Sequence, residues 1–171
     1  MSWLERLWSP WRFEYIKSSN EEKKVCFICK AANNPEDPES LVIYVDNYIL
    51  ILLNRYPYNN GHLMIAPKSH KKNFEELTKE EWNNLIEALL LSKKVLDNLY
   101  KPQGYNIGIN LGRVAGAGLE DHLHIHVVPR WAGDTNFMTT ISATKVMAQT
   151  LKDSWEAMRK EIKNIISAYK I

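Results

Sequence analysis

The chain has 171 residues, a formal net charge of +2, 45% hydrophobic residues and 25% charged residues. That length suits one domain with a substantial core, and the ordinary proportions of apolar and charged residues exclude an intrinsically disordered chain. The near-neutral charge argues against a large nucleic-acid-binding surface, but it leaves room for a local basic pocket that binds a phosphorylated small molecule.

The N-terminal region, residues 1–24, contains several aromatic side chains followed by a polar stretch. We expect it to form an arm that packs on the domain or on a second subunit. It lacks the continuous apolar run of a signal peptide, and the longest apolar run of the chain, residues 48–53, is far too short to span a bilayer. We therefore expect a cytoplasmic protein without a membrane partner.

The two cysteines of the chain, Cys26 and Cys29, are separated by two residues. In a reducing cytoplasm a structural disulfide is not expected, so this spacing favours a metal-binding or redox role. The following residues, 31–40, include several asparagines and prolines and are predicted to form a loop.

The next part of the chain contains three predicted strands. Residues 41–44 and 48–53 are apolar and β-branched, and Asp46-Asn47 between them supplies a turn, which indicates a β-hairpin. A connection rich in asparagine, proline and glycine leads to a third predicted strand over residues 62–67.

A central helix is predicted after this strand. Thr78 and Glu81 have the spacing of a capping box, which marks a helix start. Apolar residues then recur at helical spacing from Trp82 to Leu99, and Pro102 ends the pattern.

Two more strands, over residues 105–110 and 123–128, flank a loop of small residues at 112–118. The tail, from about residue 143 to residue 169, repeats apolar residues at helical spacing and carries lysine and glutamate on the other face. Such a helix covers its own core or contacts another subunit. Together these elements predict an α+β domain with a mostly antiparallel sheet of about five strands, one central helix and a C-terminal helix.

All five histidines lie in two short motifs: His62, His70, His122, His124 and His126. The last three alternate with apolar residues, so on a strand they would share one face, with neighbours about 7 Å apart and the outer two roughly 13 Å apart. Imidazole serves as a proton carrier near neutral pH, a nucleophile and a metal ligand. Because the outer two are too far apart to perform one task together, we expect a division of labour.

Three interpretations of this row compete. The first is a chance grouping of solvated or core histidines. The second is a catalytic metal site, since two histidines on alternate strand positions can chelate zinc and Glu120 or Asp121 can supply a carboxylate. The third is phosphoryl or nucleotidyl transfer through a covalent phosphohistidine, with backbone N–H groups of the glycine-rich loop at the phosphate.

The sequence from His122 to Val128 has the pattern His-φ-His-φ-His-φ-φ, where φ is apolar, and it resembles the signature of the histidine-triad (HIT) superfamily. Further segments are similar to the bacterial branch related to diadenosine tetraphosphate phosphorylases and hydrolases: Asn54 and residues 7–12, 61–70, 115–118 and 128–138. The resemblance covers nearly the whole chain and is weakest at residues 30–40 and in the tail. It implies a single HIT domain over residues 1–171, with an arm at 1–24, a core at 25–138 and a helical tail at 139–171.

The resemblance implies a role for each histidine of the site. His124 would attack the α-phosphorus of a nucleotide and form a nucleotidyl-histidine, which water or phosphate then resolves. His126 would bond phosphate oxygens and help the leaving group, and His62 would lie at the same phosphate site.

The resemblance also implies a set of nucleotide contacts. Asn54 would contact the ribose hydroxyls, and Asn110 would lie near the scissile phosphate. The α-phosphate would be lined by the backbone N–H groups of Gly116, Ala117 and Gly118. By residue type alone, the two asparagines are better explained as turn residues at strand ends.

Some relatives hold a structural zinc ion, and the matching ligands here are Cys26, Cys29, His70 and His122. Two thiolates and two imidazoles make a closed tetrahedral site suited to structure rather than chemistry. The alternative is a pair of reduced, buried cysteines without a metal. The covalent route itself requires no catalytic metal, because histidines and backbone donors neutralise the phosphate.

The implied function is cleavage of the α-phosphate linkage of dinucleoside polyphosphates such as diadenosine tetraphosphate, by hydrolysis or phosphorolysis. The alternatives are a phosphoramidase acting on adenylyl-amine bonds and a nucleotide-binding regulatory protein with little catalysis. The expected partner is a small nucleotide, with no nucleic acid and no membrane. The resemblance further implies a homodimer built partly from the central helix, and a tetramer is the alternative.

Overall fold

A computed structural model describes residues 26–136, 138, 142 and 145–169. The chain divides into two compact units, one formed by Met1–Val25 and Thr135–Val146, the other by Cys26–Asp134 and Met147–Ile171. The second unit contains every element described below. The predicted aromatic arm lies outside the described residues, and the prediction of a single domain over the whole chain stays a prediction.

Five strands of the described chain form one antiparallel sheet: β1 (Val42–Val45), β2 (Ile49–Leu53), β3 (Leu63–Pro67), β4 (Gly104–Ile109) and β5 (Ile125–Arg130). Their order across the sheet is β1-β2-β3-β5-β4. The predicted hairpin is confirmed, because β1 pairs with β2 and Asp46 closes the turn. Its carboxylate accepts hydrogen bonds from the N–H groups of Tyr48 at 2.7 Å and Ile49 at 2.8 Å. Since β5 inserts between β3 and β4, the end of the histidine motif lies inside the sheet.

Three helices of the described residues pack against this sheet: α1 (Phe27–Asn33), α2 (Lys79–Tyr100) and α3 (Leu151–Tyr169). The predicted central helix is α2, and it begins at the predicted capping box. The Thr78 hydroxyl accepts a hydrogen bond from the N–H of Glu81, and the Glu81 carboxylate accepts one from the N–H of Thr78 at 2.7 Å. The predicted α+β class is therefore confirmed.

The two faces of the sheet have different coverings. Ile51 and Ile65 belong to the large core beneath α2 and α3, whereas Leu52 and Met64 belong to a smaller cluster on the opposite face, where α1 packs. Successive side chains of a strand point to opposite faces. His126 pairs with Met64 across β5 and β3, so it lies on the α1 face.

Three local predictions were wrong. The predicted loop over residues 31–40 does not begin at residue 31, because Phe27–Asn33 is helical and the Cys26 thiol accepts the N–H of Cys29 at its start. The tail helix begins at Leu151 and not near residue 143, since residues 145–150 are not helical. A hydrogen bond from Asp153 N–H to the Thr150 hydroxyl, at 3.1 Å, forms at this later start.

The third error concerns the histidine strand. β5 begins at Ile125, so His122 and His124 lie in the segment before the strand and do not form a row of three on it. The reason is that Leu123 N–H donates to the carbonyl of Lys71 at 2.7 Å, outside the strand ladder. Among the described residues, no helix combines the length and the apolar composition that crossing a bilayer requires.

Candidate active site

Three of the predicted site histidines come together on the α1 face of the sheet. His126 lies on β5, His124 directly before that strand, and His62 directly before β3. The ring centroids of His62 and His126 are 5.1 Å apart, and those of His124 and His126 are 4.9 Å apart. His62 and His124 are buried, while His126 is partly exposed. Solvent therefore reaches this group of rings on the side of His126.

The tautomer of His124 follows from its hydrogen bond. Its Nδ1 lies 2.8 Å from the carbonyl oxygen of His122, which can only accept, so Nδ1 carries the proton and Nε2 carries the lone pair. Burial lowers the pKa of His124, and the hydrogen bond to the His122 carbonyl opposes this only in part. The ring is therefore neutral at pH 7, with a nucleophilic nitrogen.

The tautomers of His62 and His126 follow from a chain of hydrogen bonds. The N–H of Tyr58 donates to Nδ1 of His62 at 3.1 Å, so the proton of His62 is on Nε2. That Nε2 lies 2.9 Å from Nδ1 of His126, which must then accept. The proton of a neutral His126 is consequently on its Nε2, the nitrogen that can donate to a ligand.

Both rings of this pair are held in the neutral form. Burial, followed by repulsion from His126 and His124, lowers the pKa of His62 to about 3. Burial and the neighbouring His124 lower the pKa of His126 to about 4. At pH 7 the site therefore combines an unprotonated, nucleophilic nitrogen on His124 with a neutral hydrogen-bond donor on His126, which suits nucleophilic attack beside a group that stabilises developing negative charge.

The glycine-rich loop lies beside Asn110, whose side-chain Nδ2 donates to the carbonyl of Gly116 at 3.4 Å. Gly116 has a φ of +91°, which favours glycine. The N–H of Gly116 donates to Arg113 at 3.0 Å, and the N–H of Ala117 donates to Gly112 at 3.4 Å. These two N–H groups are thus used inside the loop, and they must exchange partners to bind a phosphate.

Asn54 lies at the end of β2 and holds the turn that follows. Its N–H donates to the His62 carbonyl at 2.9 Å, and its side-chain oxygen accepts the N–H of Tyr56 at 2.8 Å. This is the turn role that its residue type alone indicates. Its contact with ribose stays a prediction.

A second cluster contains the four predicted metal ligands, whose candidate ligand atoms all lie within 4.8 Å of one another: Cys26, Cys29, His70 and His122. The Cys26 sulfur is 3.2 Å from Nδ1 of His122, and the Cys29 sulfur is 3.2 Å from Nδ1 of His70. Ordinary zinc–sulfur and zinc–nitrogen bonds in a tetrahedron place sulfur and nitrogen roughly 3.6 Å apart. The four residues therefore fit a tetrahedral metal ion.

The surroundings of this cluster support that fit. The Nε2–H of His122 donates to the carbonyl of Pro67 at 2.8 Å, which leaves the lone pair of Nδ1 facing the sulfurs. Burial, and then the neighbouring Cys26, raise the pKa of Cys29 to about 11, so without a cation the thiol stays protonated. A dication reverses this preference by stabilising the thiolate.

The acidic residues considered for a catalytic metal site lie elsewhere. Glu120 and Asp121 both pair with Lys72, at 3.2 Å and 3.3 Å. The three-histidine group gains no carboxylate from them.

Two elements of this region were missed by the sequence predictions. Ser69 and Lys71, on either side of His70, both donate to the buried carboxylate of Glu81, the latter at 2.6 Å. The capping-box pattern had identified Glu81 only as a helix cap. The backbone N–H of Tyr58, which sets the tautomer of His62, has no signal in the sequence, because every residue except proline has this group.

A family model described as the HIT domain matches residues 35–133. The chain belongs to the HIT family. Among its relatives is the AP-4-A phosphorylase of Mycobacterium tuberculosis, 38% identical over 157 residues that cover 88% of this chain and 80% of that protein. The family prediction is therefore confirmed.

Solved structures of HIT proteins share the fold. A hypothetical histidine triad nucleotide-binding protein from Sulfolobus tokodaii superposes with a TM-score of 0.67 at 24% identity, covering 82% of this chain and 94% of that one. A Zn-bound histidine triad family protein from Mycobacterium smegmatis gives 0.66 at 24% identity, covering 84% and 96%. At such identities the likeness shows the fold alone, and it confirms the predicted HIT-like architecture.

Proposed function

We propose that this HIT-family protein is an enzyme that cleaves dinucleoside polyphosphates at an α-phosphorus by nucleotidyl transfer to His124. One observation carries the proposal: Nδ1–H of His124 is held by the His122 carbonyl, which leaves Nε2 of a neutral ring as the nucleophile. The proton of the adjacent His126 lies on its Nε2, where it can assist departure of the leaving group. The similarity to an AP-4-A phosphorylase supports this class of substrate.

The proposed first step uses diadenosine tetraphosphate. The lone pair of His124 Nε2 forms a bond to the α-phosphorus, the bond to the bridging oxygen breaks, and ATP departs. The Nε2–H of His126 donates a hydrogen bond to the leaving oxygen and stabilises the negative charge that develops there, while the proton stays on the ring and ATP departs as an anion. Inorganic phosphate then attacks the adenylyl-His124, forming ADP and restoring the neutral ring. We propose phosphorolysis because the similarity to the named phosphorylase extends over most of both chains.

The remaining predicted residues would hold the nucleotide. In this proposal Asn54 contacts the ribose, Asn110 lies near the scissile phosphate, and the loop of Gly116, Ala117 and Gly118 binds the α-phosphate by its N–H groups. An asparagine side chain suits a ribose because it both donates and accepts hydrogen bonds.

We propose a structural zinc ion at the cluster of Cys26, Cys29, His70 and His122. When bound, the ion supplies a cross-link between α1, the segment after β3 and the segment before β5, and no chemical step. We expect purified protein to contain about one zinc per chain by elemental mass spectrometry, as such closed sites do. Cys26→Ala should lose the metal and some stability, and zinc content unchanged in that variant would contradict the ligand set.

Exposed apolar side chains on α2 and on the edge strand β4 support a homodimer. Ile86, Leu90 and Ile107 are large apolar side chains with 48–58% of their surface exposed, and β4 is at the edge of the sheet. Exposed apolar groups beside a free strand edge are typical of subunit contacts. Analytical ultracentrifugation of wild type and Leu90→Lys distinguishes dimer from tetramer and identifies the surface. A monomeric wild type would contradict the proposal.

The reduced thiols of the metal cluster are consistent with the cytoplasm as the compartment.

The product assay decides the activity. With diadenosine tetraphosphate and phosphate we expect ADP and ATP, whereas AMP and ATP would indicate a hydrolase, and no product would indicate a binding protein. Turnover of an adenylyl-amine alone would favour the phosphoramidase.

His124→Ala should lose turnover but keep nucleotide binding. Asn98→Ala, which removes only an exposed hydrogen bond to Glu161, is the control. Trapped label on a residue other than His124 would refute the covalent route.

A further inference from the structure

A buried asparagine, Asn59, fixes the loop between β2 and β3. Only 6% of its surface is exposed. Its Nδ2 donates to the carbonyl of Pro129 at 3.0 Å and to the carboxylate of Asp134 at 2.8 Å, and its side-chain oxygen accepts the N–H of Asn60 at 3.2 Å. Both donor hydrogens and the oxygen of the amide are thus used. Because Pro129 lies on β5, this side chain ties the loop to the strand that carries His126.

The carboxylate that receives Asn59 is itself held in place. Arg130 donates to Asp134 from Nε at 2.6 Å and from Nη2 at 3.1 Å, a two-point contact with defined geometry. Arg130 also donates to the side chain of Asn106 on β4 at 2.7 Å. The side chain of Asp134 is 7% exposed. Asn59 therefore bonds to an acceptor that is anchored on two strands, and we call Asn59, Asp134 and Arg130 the Asn59 clamp.

The clamped loop delivers one backbone group to the candidate active site. Tyr58, the residue before Asn59, donates its N–H to Nδ1 of His62 at 3.1 Å. The carbonyl of Asn59 accepts the N–H of His62 at 3.2 Å. The position of Asn59 thus determines where the Tyr58 N–H meets the His62 ring.

This contact decides the protons of two rings. With the Tyr58 N–H in place, His62 carries its proton on Nε2 and donates to Nδ1 of His126. Without it, Nδ1 of His62 can carry the proton, and Nε2 becomes an acceptor. His126 would then donate from Nδ1, and its Nε2 would have no proton to give to a ligand.

We propose that Asn59, anchored by Asp134, is a positioning residue that sets the tautomers of His62 and His126 and so keeps a donor proton on Nε2 of His126. The part of this inference that concerns catalysis depends on the proposed function. The part that concerns tautomers does not. A purely structural Asn59 would stabilise the loop and leave the ring protons where they are.

The decisive measurement is the tautomer of each histidine in the full-length protein with ¹⁵N-labelled imidazoles, read from long-range ¹H–¹⁵N correlation spectra at pH 7. In wild type we expect His62 and His126 as Nε2–H forms. In Asn59→Ala we expect both rings to show mixed or Nδ1–H forms. Wild-type tautomers in Asn59→Ala would overturn the proposal.

Two companion variants separate positioning from stability. Asp134→Asn keeps an oxygen that can accept from Asn59, and we expect it to retain the wild-type tautomers. Asp134→Ala removes the anchor and should shift them even where Asn59→Ala fails to fold. Trp155→Phe removes a different bond from side chain to backbone, to Val42 at 2.8 Å, so it should lower stability without changing the tautomers. Altered tautomers in this control, or wild-type tautomers in Asp134→Ala, would contradict the clamp.

Kinetics adds an independent readout on diadenosine tetraphosphate. Loss of the hydrogen bond that Nε2–H of His126 donates to the leaving oxygen should lower kcat of Asn59→Ala by about 10- to 100-fold, with KM changing less than about threefold. A variant with altered tautomers and unchanged kcat would contradict the catalytic part alone. If wild type shows no turnover, the proposed function fails, and the tautomer spectra still decide the positioning role.

Discussion

Lowering the pH from 7 to 5 is expected to destabilise this protein through two histidines that the fold keeps neutral. The folded pKa is about 3 for His62, mainly because of burial and then repulsion from neighbouring imidazoles, and about 4 for His126, for the same reasons in the same order. In an unfolded chain both return to about 6.5. Between these values the unfolded chain binds more protons than the folded one, so acid favours unfolding.

The expected magnitude follows from the width of this pH window. At pH 5 an unfolded histidine is almost fully protonated, whereas His62 in the fold is not. At about 1.4 kcal/mol per pKa unit, His62 alone removes about 2 kcal/mol of unfolding free energy between pH 7 and pH 5. His126 is partly exposed, so solvent screening reduces its share to about 1 kcal/mol. The contribution is complete above the unfolded pKa and is lost as the pH falls towards about 4.

Urea unfolding, followed by tryptophan fluorescence at pH 7, 6 and 5, measures this loss of unfolding free energy. Every sample contains a chelator, so that the metal cluster is free of metal at each pH. Wild type should lose about 2 kcal/mol more than His62→Gln between pH 7 and pH 5. Asn98→Ala, a surface control, should follow wild type. Parallel losses in wild type and His62→Gln would refute the assignment of a neutral, buried His62.

Three further changes are expected to have distinct effects. Gly108 lies on β4 directly opposite His126, and a Cβ added there would meet no atom within 4 Å, so Gly108→Val should fold normally. The new side chain should cover the His126 ring and raise KM for diadenosine tetraphosphate about tenfold. An unchanged KM would contradict this. Glu81→Gln removes the buried carboxylate that pairs with the partly buried Lys71, and it should lower the unfolding free energy in urea by about 2–3 kcal/mol. An equal effect of Glu80→Gln, at an exposed position, would argue against this. Met158→Ala truncates a fully buried side chain and should lower the unfolding free energy in the same assay by about 2–5 kcal/mol. Lys160→Ala, at an exposed position of the same helix, should lower it by less than about 0.5 kcal/mol.

The sequence by itself determined the elements whose signals are local. The hairpin around Asp46 and the helix capped by Thr78 and Glu81 were predicted because their turn, cap and periodicity lie within a few consecutive residues. The histidine motif identified the family for the same reason, since its pattern is contiguous. Helix α1 escaped because it is short and its start is capped by a thiol, which the usual capping residues do not predict.

The tertiary structure alone decided how the histidines are used. Cys26 and His122 are 96 positions apart in the sequence, yet their ligand atoms are 3.2 Å apart, because α1 and the segment before β5 pack on the same face of the sheet. The proton positions of His62 and His126 depend on the N–H of Tyr58, a group that every residue except proline has, and therefore on where the loop of Asn59 is held. Residue identity fixes which groups can titrate or donate, but burial and the direction of backbone partners, which are set by long-range packing, fix which nitrogen does so.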